Sequence, residues 1–306
     1  MARRQNRPPR RPGPDGLVES FAEEGFRLDR ATAVTLHLAD ALGRPLLLEG
    51  PPGVGKTEIA KLLARHHDVP LVRLQCYEGL DETKALYEWA YGKQVLYTQL
   101  LRDATAGLLE GATGLSDAVR RLEGEAEALF SERFLLPRPL LRAIRAEEPV
   151  VLLVDEVDRA DEAFEALLLE ILSDRQVTVP EIGTLAARSV PRVVLTSNDT
   201  RDLSDALRRR CLYRSIDYPT VEEELEILEL RVPQLDRTLA DQVVRFVGRV
   251  RRMDLRKRPG IAETLDWALA LLEVGATSLA PAWRDATLGA LLKHRQDIEA
   301  VSSRES

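Results

Sequence analysis

Cysteine is almost missing from this sequence: Cys76 and Cys211 are the two in 306 residues, and neither has a second Cys or a His at ligand spacing. That excludes a disulfide framework and a thiolate metal site, and a reducing, cytoplasmic location is expected. Long apolar runs are missing too. None approaches the roughly 20 residues that a membrane helix needs, and the opening "MARRQNRPPRRPGPDG" has no apolar segment behind its charges, so neither a signal peptide nor a membrane partner is expected. A basic surface is the third absence. The net charge is -7, and residues 1 to 14 carry five Arg and no acid, which leaves -7 - 5 = -12 for everything after them. Nucleic-acid affinity comes mainly from clustered Lys and Arg, so the acidic body argues against a nucleic-acid partner. Residues 1–16, Pro-rich and of one charge sign, read as a disordered basic tail.

What is present is enough apolar material, 44% of residues, for a large domain and a smaller one. Short continuous apolar runs recur at "PLLLEG", "PLVRLQC", "VVLLVD", "RVVLTSN" and "YRSIDYP". Such runs read as buried parallel strands, and helical spacing separates most of them. The fold class is therefore α/β, a parallel sheet wound through helices. After Pro219 the strand signals stop and helical patterns follow one another. The expected domains are an α/β domain over 17–219 and a small all-α lid over 220–306, with insertions near 77–135 and 176–190. The first insertion holds Tyr77, Tyr87, Trp89, Tyr91 and Tyr97. Two readings of these rings stay open: packing of an extra element onto the sheet, or a surface that grips a partner.

The chemistry begins in "LLLEGPPGVGKTEIAKLLA", which contains G-x-x-x-x-G-K-T as Gly50, Gly55, Lys56 and Thr57, after a strand and before a helix. That context is what a phosphate-binding loop requires. Glycines let backbone N–H groups curl around phosphates, the Lys reaches the β and γ phosphates, and the Thr hydroxyl binds Mg²⁺. The expected nucleotide-binding residues are Gly50, Pro51, Pro52, Gly53, Val54, Gly55, Lys56, Thr57 and Glu58, with ATP and Mg²⁺ as cofactors. In "VVLLVDEVDRAD" a strand ends in Asp155 and Glu156: one carboxylate for the metal, with Thr57, and one to activate a water. A kinase must keep water from the γ phosphate, so this pair favours hydrolysis over a small-molecule kinase. The strand "RVVLTSN" ends in Asn198, placed to hold the attacking water or sense the γ phosphate, although a strand-end Asn also caps helices. In "LSDALRRRCLYRS", Arg208 to Arg210 either complement a helix dipole or supply an arginine finger to a neighbouring subunit, a contact worth about 10³ to 10⁵ in rate. Arg210 is the first candidate and Arg209 the second.

Taken in this order and with a helical lid behind them, these pieces resemble an AAA+ P-loop ATPase. Within that group "LLLEGPPGVGKTEIAKLLA", the long segment before "PVVLLVDEVDRAD", and "LLEILSDRQVTVPEIGTLAARSVPRVVLTSN" are similar to the MoxR family, whose members insert a hairpin where Gln176 to Val190 stand here. More narrowly, "LQCYEGLDETKALYEWAYGKQVLY", "LFSERFLLPRPLLRAI" and "RPGIAETLDWALAL" resemble the CoxD branch, associated with maturation of aerobic carbon monoxide dehydrogenase. The resemblance implies an ATPase (ATP and water to ADP and phosphate) in a homo-oligomeric ring, a hexamer, that remodels a client metalloenzyme of the molybdenum-containing type, with a von Willebrand factor A domain protein as a further partner. It makes Lys56 and Thr57 the phosphate and metal residues, Asp155 and Glu156 the metal ligand and water activator, and Asn198 the sensor. Many such proteins carry a sensing Arg where this chain has Ala262; Arg256 or Arg258 is the available substitute. The alternative function is a nucleic-acid-processing AAA+ ATPase, a loader or restriction-type translocase, which DNA would stimulate.

Overall fold

In a computed structural model the described residues are 13–99, 131–180 and 182–305; of the expected tail, residues 1–12 lie outside them, as do residues 100–130 of the first insertion. The order is α1 (Pro14–Glu23), α2 (Arg30–Leu42), β1 (Leu46–Glu49), α3 (Lys56–His67), β2 (Leu71–Gln75), α4 (Glu82–Ala85), β3 (Tyr87–Trp89), β4 (Leu135–Pro137), α5 (Pro139–Ile144), β5 (Val151–Asp155), α6 (Glu162–Asp174), β6 (Gln176–Val179), β7 (Gly183–Ala186), β8 (Arg192–Ser197), α7 (Asp205–Arg210) and β9 (Leu212–Ser215). Helices α8 (Val221–Arg231), α9 (Arg237–Val250), α10 (Ile261–Glu273), α11 (Pro281–Leu291) and α12 (Arg295–Glu305) follow, and no strand comes after β9 among the described residues. Helix α1 starts at Pro14, inside the stretch expected as tail, because Pro at the first turn is preset for a helix.

Five strands form one parallel sheet in the order β2-β5-β8-β1-β9. The three central strands are buried almost throughout, as continuous apolar runs predict, whereas β2 and β9 at the edges alternate in burial. Side chains then segregate by parity. Leu47, Leu152, Val154, Val193 and Leu195 pack on one face with α5, α6 and the insertions, and Leu46, Leu48, Val151, Leu153 and Val194 pack on the other with α1, α2 and α3. The class is the expected parallel α/β fold in three layers, and the helical region carries its own core between Leu228 and Val301. Its centre is α9, where Leu239, Ala240, Val243, Val244, Val247 and Val250 recur at helical spacing on one stripe.

Two antiparallel pairs lie outside the main sheet: β3 with β4, and β6 with β7, which is a hairpin. The aromatic cluster divides. Trp89 is buried, Tyr87 packs edge-on against it at 5.9 Å, and Tyr97 packs on Phe134 at 5.4 Å, so these three belong to the packing reading. Tyr77 and Tyr91 stay exposed.

Candidate functional site

The carboxyl ends of β1, β5, β8 and β9 open into a cleft of about 670 Å³, where a doubly wound sheet binds its ligands. Gly50 leaves β1 with φ 155°, and a Cβ there would sit 1.9 Å from the carbonyl oxygen of Ile216, so only glycine lets the loop pass the β9 end. The loop then turns into α3, whose first residue is Lys56. Lys56 is buried and its Nζ donates to the carbonyls of Gly50 (2.6 Å) and Pro51 (2.7 Å) and to Oδ1 of Asn198 (3.0 Å). Burial pulls its pKa down to about 8 against the opposing pull of Asp158, Asp155, Glu156 and Glu49. A polyphosphate bound here would add opposite charge beside this desolvated ammonium.

One residue on, the Thr57 hydroxyl donates to Asp155 Oδ1 at 2.9 Å. Asp155 closes β5 and is buried. The same oxygen accepts from the Thr196 hydroxyl (2.6 Å), and Oδ2 accepts from Arg73 (2.6 Å). A hydroxyl and a carboxylate at this separation are hard oxygen donors of the kind that hold Mg²⁺ together with substrate phosphates, so the residues fit the ion. Glu156 follows in the left-handed region (φ 56°, ψ 51°), a costly conformation for a side chain of its size. Its N–H is held by the Thr196 hydroxyl at 2.9 Å, and its half-exposed carboxylate meets Arg159 at 3.3 Å. Asn198 is fixed from behind, where Asp158 Oδ2 accepts from the N–H of Asn198 (3.2 Å) and from the N–H and hydroxyl of Thr200 (3.1 and 2.6 Å). Burial alone would raise the Asp158 pKa; those bonds outweigh it and hold the carboxyl below the usual range.

Lys56, Thr57, Asp155, Glu156 and Asn198 thus meet in one cleft, and Pro52 through Glu58 line it. The arginines part company. Arg210 donates to Ser173 Oγ (2.5 Å) and Arg209 projects into solvent, but Arg208 turns back onto Glu49, beside the start of its own loop. Arg256 and Arg258 do not line the cleft. Ala262 does, together with Arg27, Arg214 and Arg231. Reading the sequence missed Thr196, Arg73 and Asp158. Thr196 had a signal, since it stands two before Asn198 on a strand and so shares its face. Arg73 and Gln75 alternate on β2 in the same way, but the pairing of β2 with β5 comes from the folded sheet.

The helical region beyond β9 closes the far side. The N–H of Ile261, at the start of α10, donates to the carbonyl of Gly53 at 3.0 Å. Phe26 to Asp29 and Ile216 to Pro219 complete the walls.

With this geometry goes a match to the AAA domain family, dynein-related subfamily, over residues 45–211, which holds β1, the loop, Asp155, Asn198 and α7. The chain belongs to that family. Relatives include the denitrification regulatory protein NirQ of Stutzerimonas stutzeri, 24% identical over 229 residues that cover 72% of this chain and 69% of that protein. An uncharacterized protein of Staphylococcus aureus is 24% identical over 240 residues, covering 76% of this chain and 77% of its own. Among solved structures, the Thermotoga maritima RuvB Holliday junction branch migration motor is 18% identical, with a TM-score of 0.44, over 92% of this chain and 72% of that one. A likeness at that level says nothing of what this AAA domain acts on.

Proposed function

We propose that this chain is an ATPase working as a homo-oligomeric ring in the cytoplasm, a hexamer, that remodels a client metalloenzyme while its metal centre is installed. The observation that carries the hydrolytic reading is Thr196. Its hydroxyl donates to Asp155 and accepts from the N–H of Glu156, which ties the Asp155 carboxylate to the main chain of Glu156 beside Lys56 and Thr57. In this reading Gly50 to Glu58 hold the phosphates of ATP, Lys56 neutralises them, and Thr57 and Asp155 hold Mg²⁺, which supplies charge neutralisation at the γ phosphate when bound. Glu156 takes the proton from the attacking water. Asn198, already bonded to Lys56, orients that water. Arg210, with Arg209 second, reaches the γ phosphate of the adjacent subunit.

The client reading is supported by the resemblance to the MoxR family and its CoxD branch and by the acidic body, which gains no counterion-release affinity from DNA. A molybdenum-containing carbon monoxide dehydrogenase-type enzyme is the proposed client, with a von Willebrand factor A domain protein as adaptor. Glu156→Gln should keep nucleotide binding while turnover falls about 10²- to 10⁴-fold, measured as steady-state phosphate release beside fluorescent-nucleotide titration. Cells carrying that variant should accumulate the client with an incomplete metal centre. Full metal and sulfur occupancy in enzyme purified from those cells would end the maturation reading, and stimulation of the ATPase by DNA would replace it with the nucleic-acid one.

A further inference from the structure

Three consecutive arginines end α7, and the fold gives each a different task. Arg209 is exposed, its side chain 82% accessible and 4.0 Å from Asp205. Arg210 rests on Ser173 and on the carbonyl of Ala206. Arg208 faces inward: its Nη2 donates to Oε2 of Glu49 at 2.8 Å and its Nη1 to Oε1 at 3.4 Å, a two-pronged pair. The Tyr213 hydroxyl donates to the same Oε1 at 3.0 Å, and the Arg208 guanidinium stands 5.9 Å from the Tyr213 ring.

Glu49 is the buried last residue of β1, immediately before Gly50. Its main chain is locked into the sheet, with its carbonyl accepting from the N–H of Ile216 at 2.7 Å. The entrance to the phosphate loop and the helix that ends in Arg210 are therefore joined through one carboxylate. The same end of α7 is held a second time. Arg44 donates to the carbonyls of Arg209 (2.8 Å) and Arg210 (3.3 Å). The last turn of this six-residue helix carries both contacts, so a displacement of Glu49 reaches Arg210, two residues beyond Arg208, with little loss.

We propose that Arg208 is a positioning residue: through its ion pair with Glu49 it sets where Arg210 stands relative to the subunit's own phosphate loop, and so couples that loop to the site of the neighbouring subunit. The inference rests on the ring reading above, in which Arg210 acts in trans. It predicts that losing Arg208 harms the neighbour's turnover and spares the subunit's own nucleotide binding.

The test is a set of single variants and mixed rings. Arg208→Met alone should lower kcat about 10- to 100-fold, as misplacement of an orienting group does, while KM for ATP and the Kd of a fluorescent ADP analogue change less than about twofold. Arg208→Lys, which keeps a charge for Glu49, should recover part of the loss; it also carries the experiment if the Met variant does not fold. Mixing Arg208→Met with Lys56→Ala subunits should restore activity, because an intact phosphate loop then faces a correctly held Arg210. Arg210→Ala mixed with Lys56→Ala is the control. If the control regains activity and the Arg208 mixture does not, Arg208 serves its own phosphate loop and the proposal is overturned while the ring reading stands. If neither mixture regains activity despite proven co-assembly, the trans reading falls and takes the proposal with it. An unchanged kcat in Arg208→Met overturns it directly.

Discussion

The two walls of the nucleotide cleft are built on opposite plans. On the body side the phosphate loop is spliced into the sheet: the N–H of Gly50 donates to the Ser197 carbonyl at 3.2 Å, Ile216 donates to Glu49, and the Lys56 ammonium ties Gly50 and Pro51 to Asn198. The lid packs around its own core and reaches the loop through one main-chain bond, from Ile261 to Gly53, where Gly53 and Gly260 touch backbone to backbone. A wall fixed by strand ends suits a phosphate site that must hold its geometry through the reaction. A wall joined by few bonds opens at lower free energy and can follow the nucleotide state.

The comparison breaks most sharply at the lid's internal anchor. Arg251 and Glu224 are a fully buried pair with both guanidinium prongs bonded, at 2.6 and 2.7 Å. Arg251 Nε also donates to the Pro259 carbonyl at 2.8 Å, and its guanidinium lies 4.7 Å from the ring of Tyr218, which lines the cleft. This one residue therefore holds both the hinge before α8 and the segment that leads into α10. Arg251→Met strands a buried carboxylate and should cost about 3 to 5 kcal/mol of lid stability. Urea unfolding should then split into two transitions, with the lid first, and adding Glu224→Leu should recover most of the loss. A single transition at a lowered midpoint would mean that lid and body are one cooperative unit, and one at the parent midpoint would mean that the pair contributes nothing.

A smaller effect is expected where the walls touch. A Cβ on Gly260 would lie 2.7 Å from Cα and 2.9 Å from the oxygen of Gly53, both backbone atoms that cannot swing aside. Gly260→Ala should therefore push the lid off the loop at a cost of about 1 to 3 kcal/mol, read as a roughly 5- to 150-fold weaker Kd for nucleotide. Gly289→Ala, where a Cβ meets nothing within 4 Å, is the matched control. Equal affinities in the two variants would show that lid and loop do not share the bound nucleotide.

How much of this was legible follows the same division. The body wall is made of contiguous runs, so Gly50 to Glu58, Asp155 with Glu156, and Asn198 could each be read from a strand and the residues that leave it. The parallel sheet followed from the same runs. The rest of the cleft is made of side chains brought from distant places: Arg27 precedes α2, Arg214 sits on β9 bonded to Asp29 and Thr32, and Arg231 ends α8. No local pattern announces them. Arg208 shows the limit most clearly. Its place in "RRR" suggested a shared fate with its neighbours, and only the approach of α7 to β1 gives it a carboxylate of its own. The aromatic insertion had two readings because ring-rich sequence is the same whether the rings face in or out, and the packing of Trp89 decides for the inward ones.

The smallest effect concerns the contact that bridges the walls by charge. Arg27, at the cleft edge, donates from Nε to Glu226 at 2.6 Å and from Nη1 to Glu223 at 2.8 Å, so a body residue holds two lid carboxylates. The geometry is close, yet Arg27 and Glu223 are about one-third exposed and Glu226 more so. Pairs of this kind contribute about 0.2 to 1 kcal/mol, because water already solvates both partners well and two long side chains lose freedom in meeting. Glu223 is also engaged at home, its carboxylate accepting from the N–H of Thr220 at 2.9 Å in the cap of α8, so its place does not depend on Arg27. Arg27→Met should then weaken nucleotide binding less than about fivefold at low salt, and about 1 M salt should bring the variant and the parent together as the charges are screened. The measurement is nucleotide Kd against ionic strength for both proteins. Parallel curves would assign the effect of Arg27 to packing of its aliphatic stem, and a loss as large as that of Gly260→Ala would make the ion pair, rather than the glycine contact, the main tie between lid and body.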